Sequence, residues 1–571
     1  MRAHQLSFLF IGVLAPMLLA AAPQGGMVAA QYHFLGGNQL VANPNAALLK
    51  QIGEKPATTD FRHHLVRKTA LDLAASFGKQ LNPSSTNAAA LMVPLVDDLI
   101  SSESVGLFGG KTQGPMAFVL AVQLNPGQTK VWQDNLGKIL ATAPEKIVVE
   151  GFQGQNWKNA AFQVIPAKGW LIVSRGNDLA AQQTELLTSL NKIGRPTSAL
   201  KTNWFEGDAN WTRLAAWLPL QSSPFKLART QITLSSKADQ IVTSLKIQYP
   251  ETIPWKRQPW NVPTNLVRDP VISFTAARNI APFMAPAPSF AKLKVNPWNE
   301  QFYVWSMWTG MPFQTFGAIP ANDPTNTFLT LAAQLPSVFN STLATLNGSS
   351  FIVTSNHQSV VMDNIPQIVP RIRPVTEPNG GFLAMDFMGA VSTRSTKPAP
   401  PELFAQLNSQ KDIIYYDWEI TEKRLECWRS MFQFLQIIKR IPTPIPGIES
   451  LPPAAASTST NRAALIPRLA KETWLTAVAP LLGNTITVAT LSGPNEVTVT
   501  RKSQLGVTGF ELLCLSDWLT GASYMPANRS RASGVTPGPS VPPPAFPMSP
   551  GALPPPSPKA KPTAPASAPN K

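Results

Sequence analysis

The side chains best suited to move a proton or hold a metal near neutral pH are the histidines, and the chain has five: His4, His33, His63, His64 and His357. His63 and His64 are adjacent. Two ligands of one ion on a helix sit three or four positions apart, so this pair cannot share an ion. No pattern brings carboxylates to His357, and no metal ligand is assigned. A serine hydrolase needs a nucleophile on a sharp turn with histidine and acid partners, but GxSxG is absent. A serine with His357 and Asp363 or Asp386 has no spacing that unites it. Carboxylates gather at Asp97, Asp98 and Glu103, and again at Asp417, Glu419, Glu422 and Glu426. Asp417 and Glu419 would share one face of a strand, and Glu422 and Glu426 one face of a helix. General acid and base work needs two carboxylates in different environments across a cleft, which spacing alone does not provide. No catalytic residue is assigned.

The two cysteines, Cys427 in LECWR and Cys514 in LLCLS, lie in apolar surroundings. They read as buried thiols or, in an exported protein, as one disulfide. Two cysteines cannot build a four-thiolate zinc or iron–sulfur site, nor a dense disulfide scaffold. LFGGKTQG, with Gly109, Gly110, Lys111 and Thr112, superficially resembles a phosphate loop, but strand, long glycine loop, lysine and helix do not follow in that order. It reads as a turn before the strand near Met116. With no dinucleotide fingerprint either, no cofactor is expected. The most distinctive residue is tryptophan, 15 in all. Trp offers a large apolar area with one polar handle and serves cores, interfaces and carbohydrate or lipid platforms alike. NWFEGDANW followed by TRLAAW interrupts its aromatics with polar residues and glycine. Trp204, Trp211, Trp217 and Arg213 are therefore the candidate ligand contacts.

At 571 residues the chain exceeds what one hydrophobic core usually serves, so more than one domain is expected. The formal charge of +16 is uneven. Arg529, Arg531, Lys559, Lys561 and Lys571 stand at the far end without an acid, and the body stays moderately basic. That favours peripheral association with anionic membranes or envelope polymers. No nucleic-acid partner is expected, since neither a basic patch nor a recognised module is present.

Residues 1–22 read as a secretory signal peptide: Arg2, an apolar stretch from Leu6 to Leu19, then small residues. Cleavage after Ala22 or after Ala30 fits the small-residue spacing. The alternative is a single membrane anchor, for which the apolar run is short and contains Pro16. Residues 526–571 are rich in Pro, Ala and Ser and read as a disordered tail.

Between these ends the elements read as α+β. Helical segments fill residues 40–104, with one helix starting at Asp60 and an apolar stripe of Leu65, Leu71, Leu73 and Phe77. GPMAFVLAVQL is a strand, QTKVWQDNLGKILATA a helix, and KIVVEGF, AAFQVI and GWLIVSR are three short strands separated by GQNWKN and by a PAKG hairpin turn. DLAAQQTELLTSLNKIG is a helix stopped by Gly194. The order β, α, β, β, β, α favours layered antiparallel sheets packed by helices rather than βαβ alternation. ARTQITLSSKADQIVTSLKIQYPE is a long hairpin with one solvated face, and TLSGPNEV turns between two late strands. A Pro- and Trp-rich interval places a boundary near residue 290, giving an amino-terminal α+β domain over 31–290 and a carboxy-terminal one over 291–525. Both run strand pairs into helices, which suggests a duplicated architecture, but no residue string repeats well enough to establish one. The expected protein is exported, periplasmic or extracellular, and non-enzymatic. It would bind an envelope protein, a polysaccharide or a lipid-like amphipathic ligand. The alternatives are a hydrolase without a recognisable motif and a structural assembly component.

Overall fold

The computed structural model describes residues 28–520 except 78–84, 112–113, 141–142, 197–202, 216, 218–226, 238–239, 256–257, 280–299, 309–313, 348–351, 356–358, 364–369, 378–379, 388–396 and 439–461. The leader, the Pro-rich tail, His357 and the boundary expected near residue 290 lie outside the described residues.

The first half runs β1 (Val28–Phe34), α1 (Gly37–Ala42), α2 (Ala47–Gly53), α3 (Pro56–Phe77), α4 (Ser85–Ser101), β2 (Ser104–Gly109), β3 (Ala117–Gln123), α5 (Pro126–Ile139), β4 (Glu145–Val149), β5 (Phe152–Trp157), β6 (Phe162–Ala167), β7 (Trp170–Arg175), α6 (Ala180–Ile193), β8 (Asn203–Asn210), α7 (Trp211–Leu214), β9 (Arg229–Lys237) and β10 (Gln240–Gln248). The second runs β11 (Val271–Arg278), β12 (Gln301–Met307), β13 (Thr315–Ala321), α8 (Pro324–Asn347), β14 (Ile352–Ser355), β15 (Val360–Asp363), β16 (Arg371–Glu377), β17 (Gly380–Asp386), α9 (Glu402–Ser409), β18 (Ile413–Ile420), α10 (Thr421–Ile438), α11 (Arg462–Val478), β19 (Asn484–Gly493), β20 (Glu496–Ser503) and α12 (Gly509–Thr520). The fold is mixed α+β, with an extensive antiparallel sheet and helices packed against it.

Short-range signals set the hairpins. Lys168 and Gly169, both at positive φ, join β6 to β7 in the two-residue turn that suits the sheet's twist. Glu150 and Gly151 do the same between β4 and β5, so KIVVEGF is not one strand but a hairpin, and GQNW belongs to β5. The α3 helix starts at Pro56, which leaves Asp60 inside it rather than capping it. Its buried residues, among those described, are Ala57, Phe61, Val66, Ala70, Asp72 and Ala74, while Leu71 is exposed. Ala70 and Ala74 pack with α4, and Ala57 and Phe61 with α11, while Leu65 and Leu73 are partly buried at the same two clusters.

All strand pairs are antiparallel, and the pairings give one order across the sheet: β4-β5-β6-β7-β3-β2-β1-β8-β9-β10-β20-β19-β18-β11-β12-β13-β17-β16-β15-β14. Read from either end, the second half mirrors the first, strand for strand. Two pairs of irregularities match as well, although the one in β19 between Leu491 and Gly493 has no counterpart in β9–β10. β1 bulges between Val28 and Ala30 against β2, and β11 between Val271 and Ser273 against β12. β8 bulges between Asn203 and Phe205, and β18 between Ile413 and Tyr415. At the junction Ile241 pairs with Ser503, Ser244 with Thr500 and Ile247 with Val497, a register symmetric about the Ser244–Thr500 pair. Such a contact is isologous, as in a two-fold dimer.

The halves also interlock through helices. Phe61 on α3 stacks on Trp474 of α11 at 4.0 Å between ring centroids, within an apolar cluster drawn from both halves.

Val28, Ala29 and Ala30 open β1 fully buried, and the Val28 carbonyl accepts a hydrogen bond from Arg213. Signal cleavage after Ala30 would remove all three. The expected mature amino terminus therefore precedes Val28, as cleavage after Ala22 gives; a secreted chain that sequences from Gln31 would contradict this packing.

Candidate functional site

The matched bulges allow corresponding positions to be compared across the halves. In the first, Tyr32 pairs with Gly207, Gly207 with Ile232 and Ile232 with Leu245. The corresponding row of the second is Thr275, Asp417, Thr487 and Arg501. On the opposite face Gln31, Asp208, Gln231 and Lys246 form one row, and its counterpart is Phe274, Trp418, Ile486 and Lys502. Three of four positions in each comparison exchange polarity. The halves thus share a strand order but exchange polarity between the two faces of these rows. A side chain's face follows from strand parity, so the polar row of the second half lies where the first half is apolar.

That polar row is the candidate site. The Thr275 hydroxyl donates to Asp417 Oδ1 at 2.6 Å, and Arg501 Nε donates to Thr487 Oγ1 at 3.0 Å. One step along β18, Glu419 is buried among Ser273, Thr485 and Thr421, all likewise buried. Two helices cover these residues. From α10, Arg424 donates to Ser306 Oγ of β12 at 2.5 Å. From α12, Glu511 pairs with Arg501 at 2.6 Å and accepts from the Thr508 N–H, while Thr508 Oγ1 accepts from the Glu511 N–H, a reciprocal cap. Glu419 Oε1 accepts from the Gly509 N–H at 2.8 Å. That glycine is required by proximity: a Cβ there would lie 2.9 Å from the Leu425 nitrogen and 3.0 Å from the Thr421 carbonyl oxygen of α10.

Burial, followed by the neighbouring Asp417 charge, raises the Glu419 carboxyl to about 7. Asp417 is also raised, chiefly by burial. Tyr415, on the same face, is pushed well above the usual phenol range by burial and by Asp417. A carboxyl that is neutral near pH 7 beside one of different surroundings can donate or accept a proton in that range.

The other sequence candidates separate. Trp211 and Trp217 come together, partly buried, on the apolar cluster of Tyr32, Phe108 and Phe205; their Nε1 atoms donate to Thr230 Oγ1 at 2.7 Å and to the Gly114 carbonyl at 3.0 Å. Trp204 is buried in a different cluster with Ala46 and Ile241. Arg213 is tied to Val28. Glu422 and Glu426 both pair loosely with Lys423. Asp97 meets Arg62 at 2.8 Å, Asp98 accepts from Trp132 Nε1 at 2.8 Å, and Glu103 meets His33 at 2.9 Å, three separate networks. The Lys111 N–H and ammonium both meet the Asp178 carboxylate; Leu107, Phe108 and Gly109 of the glycine-rich segment belong to β2. Cys427 and Cys514 are free thiols, raised by burial to about 11 and about 12. Among the described residues, no group of three or more His, Cys, Asp and Glu side chains is arranged to hold a metal ion. Among them, too, no helix is long and apolar enough to cross a membrane.

Sequence reasoning placed Asp417 and Glu419 on one strand face, and they share it. It did not reach Thr275, Arg424, Arg501 or Glu511. Only the T-x-x-E spacing of Thr508 and Glu511 is a readable sign of the helix that covers the site.

No family model and no curated protein matches the chain. Among solved structures it is similar to crystal form III of TP0453, at 13% identity and a TM-score of 0.22 over 40% of this chain and 80% of that one. Crystal form IV of TP0453 gives 12% identity and 0.21 over 39% and 78%, and form I gives 13% and 0.20 over 40% and 78%. The description of the fold rests on the strand pairing itself.

Proposed function

We propose that this chain is an exported, non-catalytic cell-envelope protein, built by duplication of one α+β half, that binds an amphipathic ligand on the sheet face at the junction of the halves. The observation that supports it is a continuous apolar row. Ile232 pairs with Leu245, Leu245 with Val499 and Val499 with Ala489, across four strands drawn from both halves. Ile232, Leu245 and Val499 are only partly buried, and Ile232 joins the cluster that carries Trp211 and Trp217. The opposite face of the same strands presents Gln231, Lys246, Thr498 and Thr490, a polar set in which Lys246 is exposed. An apolar row flanked by tryptophans suits an acyl chain or another apolar surface.

Duplication is supported by the mirrored strand order and the matched bulges. Export is supported by the amino-terminal sequence, with the periplasm or the extracellular space as destination. The basic body suits peripheral contact with anionic lipid, and an envelope protein or polysaccharide is the partner if no lipid is found. Native mass spectrometry of the mature protein, taken gently from its envelope fraction, is the test. An amphipathic molecule released on denaturation is expected; a chain that flies empty contradicts the reading.

The alternative reading, a hydrolase, draws on one observation: Asp417 and Glu419 are two carboxyls of unlike environment on one face. It predicts an activity on glycan or ester substrates that Asp417→Asn abolishes.

A further inference from the structure

Asp417 and Glu419 point from one strand face, two residues apart, and neither is paired directly with a cation. Asp417 holds the Thr275 hydroxyl and Glu419 the Gly509 N–H. The two guanidiniums that face them are directed elsewhere, Arg424 to Ser306 and Arg501 to Thr487 and Glu511. Those two contacts fasten the covering helices to the sheet. Arg424 ties α10 to β12, and Glu511 ties α12 to Arg501 of β20. Glu419 itself holds the first N–H of α12, a group with no partner inside the helix. α10 and α12 also pack on each other, with Gly509 against Leu425 and Thr421.

Two ionised carboxylates this close repel, and in a buried setting they draw in any cation that can reach them. Arg424 and Arg501 are those cations. Both already favour ionised Asp417 from where they stand, and a second negative charge pulls each toward the pair and against the contact that pins its helix. The first half has Gly207 and Ala209 at the corresponding positions and so has nothing comparable.

We propose that the Asp417–Glu419 pair is a proton-operated latch for α10 and α12: a proton held by the pair keeps both helices on the sheet, and its loss to water loosens them and uncovers the polar row. The charged and titratable groups facing the pair are Tyr415 on β18, Arg501 on β20, Arg424 on α10 and Glu511 on α12. The raised Glu419 carboxyl places the change near neutral pH.

Hydrogen exchange of the full mature chain, followed by mass spectrometry from pH 5.5 to pH 8 and corrected for intrinsic exchange, tests the latch. Peptides covering α10 and α12 are expected to lose protection at least tenfold over that range, while α6 of the first half stays level. Glu419→Gln is expected to keep at pH 8 the protection that the wild type shows at pH 5.5. Equal pH slopes for α12 and α6 in the wild type, or an unchanged slope in Glu419→Gln, would overturn it. Should Glu419→Gln fail to fold, Asp417→Asn removes the same charge pair, and the wild-type comparison of α12 with α6 needs no variant.

Discussion

Glu419→Gln is expected to raise stability at pH 8 and to leave it nearly unchanged at pH 4. Glu419 is buried, and its carboxyl is raised from 4.5 to about 7, first by loss of solvent and then by Asp417. Below pH 4.5 the group is protonated in both the folded and the unfolded chain and costs nothing. As pH rises from 4.5 to about 7, the unfolded chain ionises freely while the folded chain retains its proton, so stability falls. Above about 7 the penalty is complete, on the order of 3 kcal/mol at 1.36 kcal/mol per pKa unit. Glutamine keeps a carbonyl to accept from Gly509 and removes the titration. Urea unfolding at pH 4 and pH 8 measures both limits. A variant less stable than the wild type at pH 8 would mean that the ionised carboxylate is favourably paired, which the directions of Arg424 and Arg501 do not suggest.

Trp474→Ala should cost about 3–5 kcal/mol, the range for removing a buried large aromatic side chain. Trp474 is 5% exposed, stacks on Phe61 at 4.0 Å with 8° between the ring planes, and donates from Nε1 to Thr58 Oγ1 at 3.2 Å. Phe61 and Thr58 belong to α3 of the first half, whereas Leu475, Leu512 and Leu513 around the indole belong to the second. The loss therefore falls on the contact between halves as well as on a local core. Trp474→Phe keeps most of the stack and should recover more than half of the loss. Calorimetry is the suitable readout, because Trp474→Ala is expected to lower the melting temperature and to broaden or divide the transition. A loss below about 1 kcal/mol would show that the site collapses around the gap.

The parts of the fold legible in the sequence were those governed by neighbours in the chain. Lys168–Gly169 announces its hairpin, the alternation on both sides of Lys237 to Gln240 announces β9 and β10, and Gly194 ends α6 at positive φ. On α3 the leucine stripe is half right: Leu65 and Leu73 pack on core clusters, Leu71 is exposed, and the alanines Ala57, Ala70 and Ala74 are the more deeply buried. The similar order of elements in the two halves was visible, but no repeated string was. The exchange of polarity between faces explains why: corresponding strand positions such as Leu245 and Arg501, or Asp208 and Trp418, carry side chains of opposite polarity. The site was half legible for the same kind of reason. Asp417 and Glu419 are two residues apart on one strand, whereas the Thr275 that meets Asp417 lies 142 positions away, and only the sheet brings them together.

The most direct test of a ligand-binding face at the junction compares native mass spectra of the wild type with Leu245→Asp, Val499→Asp and Lys246→Glu, each purified from the envelope fraction. Leu245 and Val499 pair directly on the apolar face, and exposed Lys246 lies on the other. The expected result is a bound mass in the wild type and in Lys246→Glu that disappears from both aspartate variants. Retention of the same mass in Leu245→Asp and Val499→Asp, with both folded, would contradict a binding site on this face.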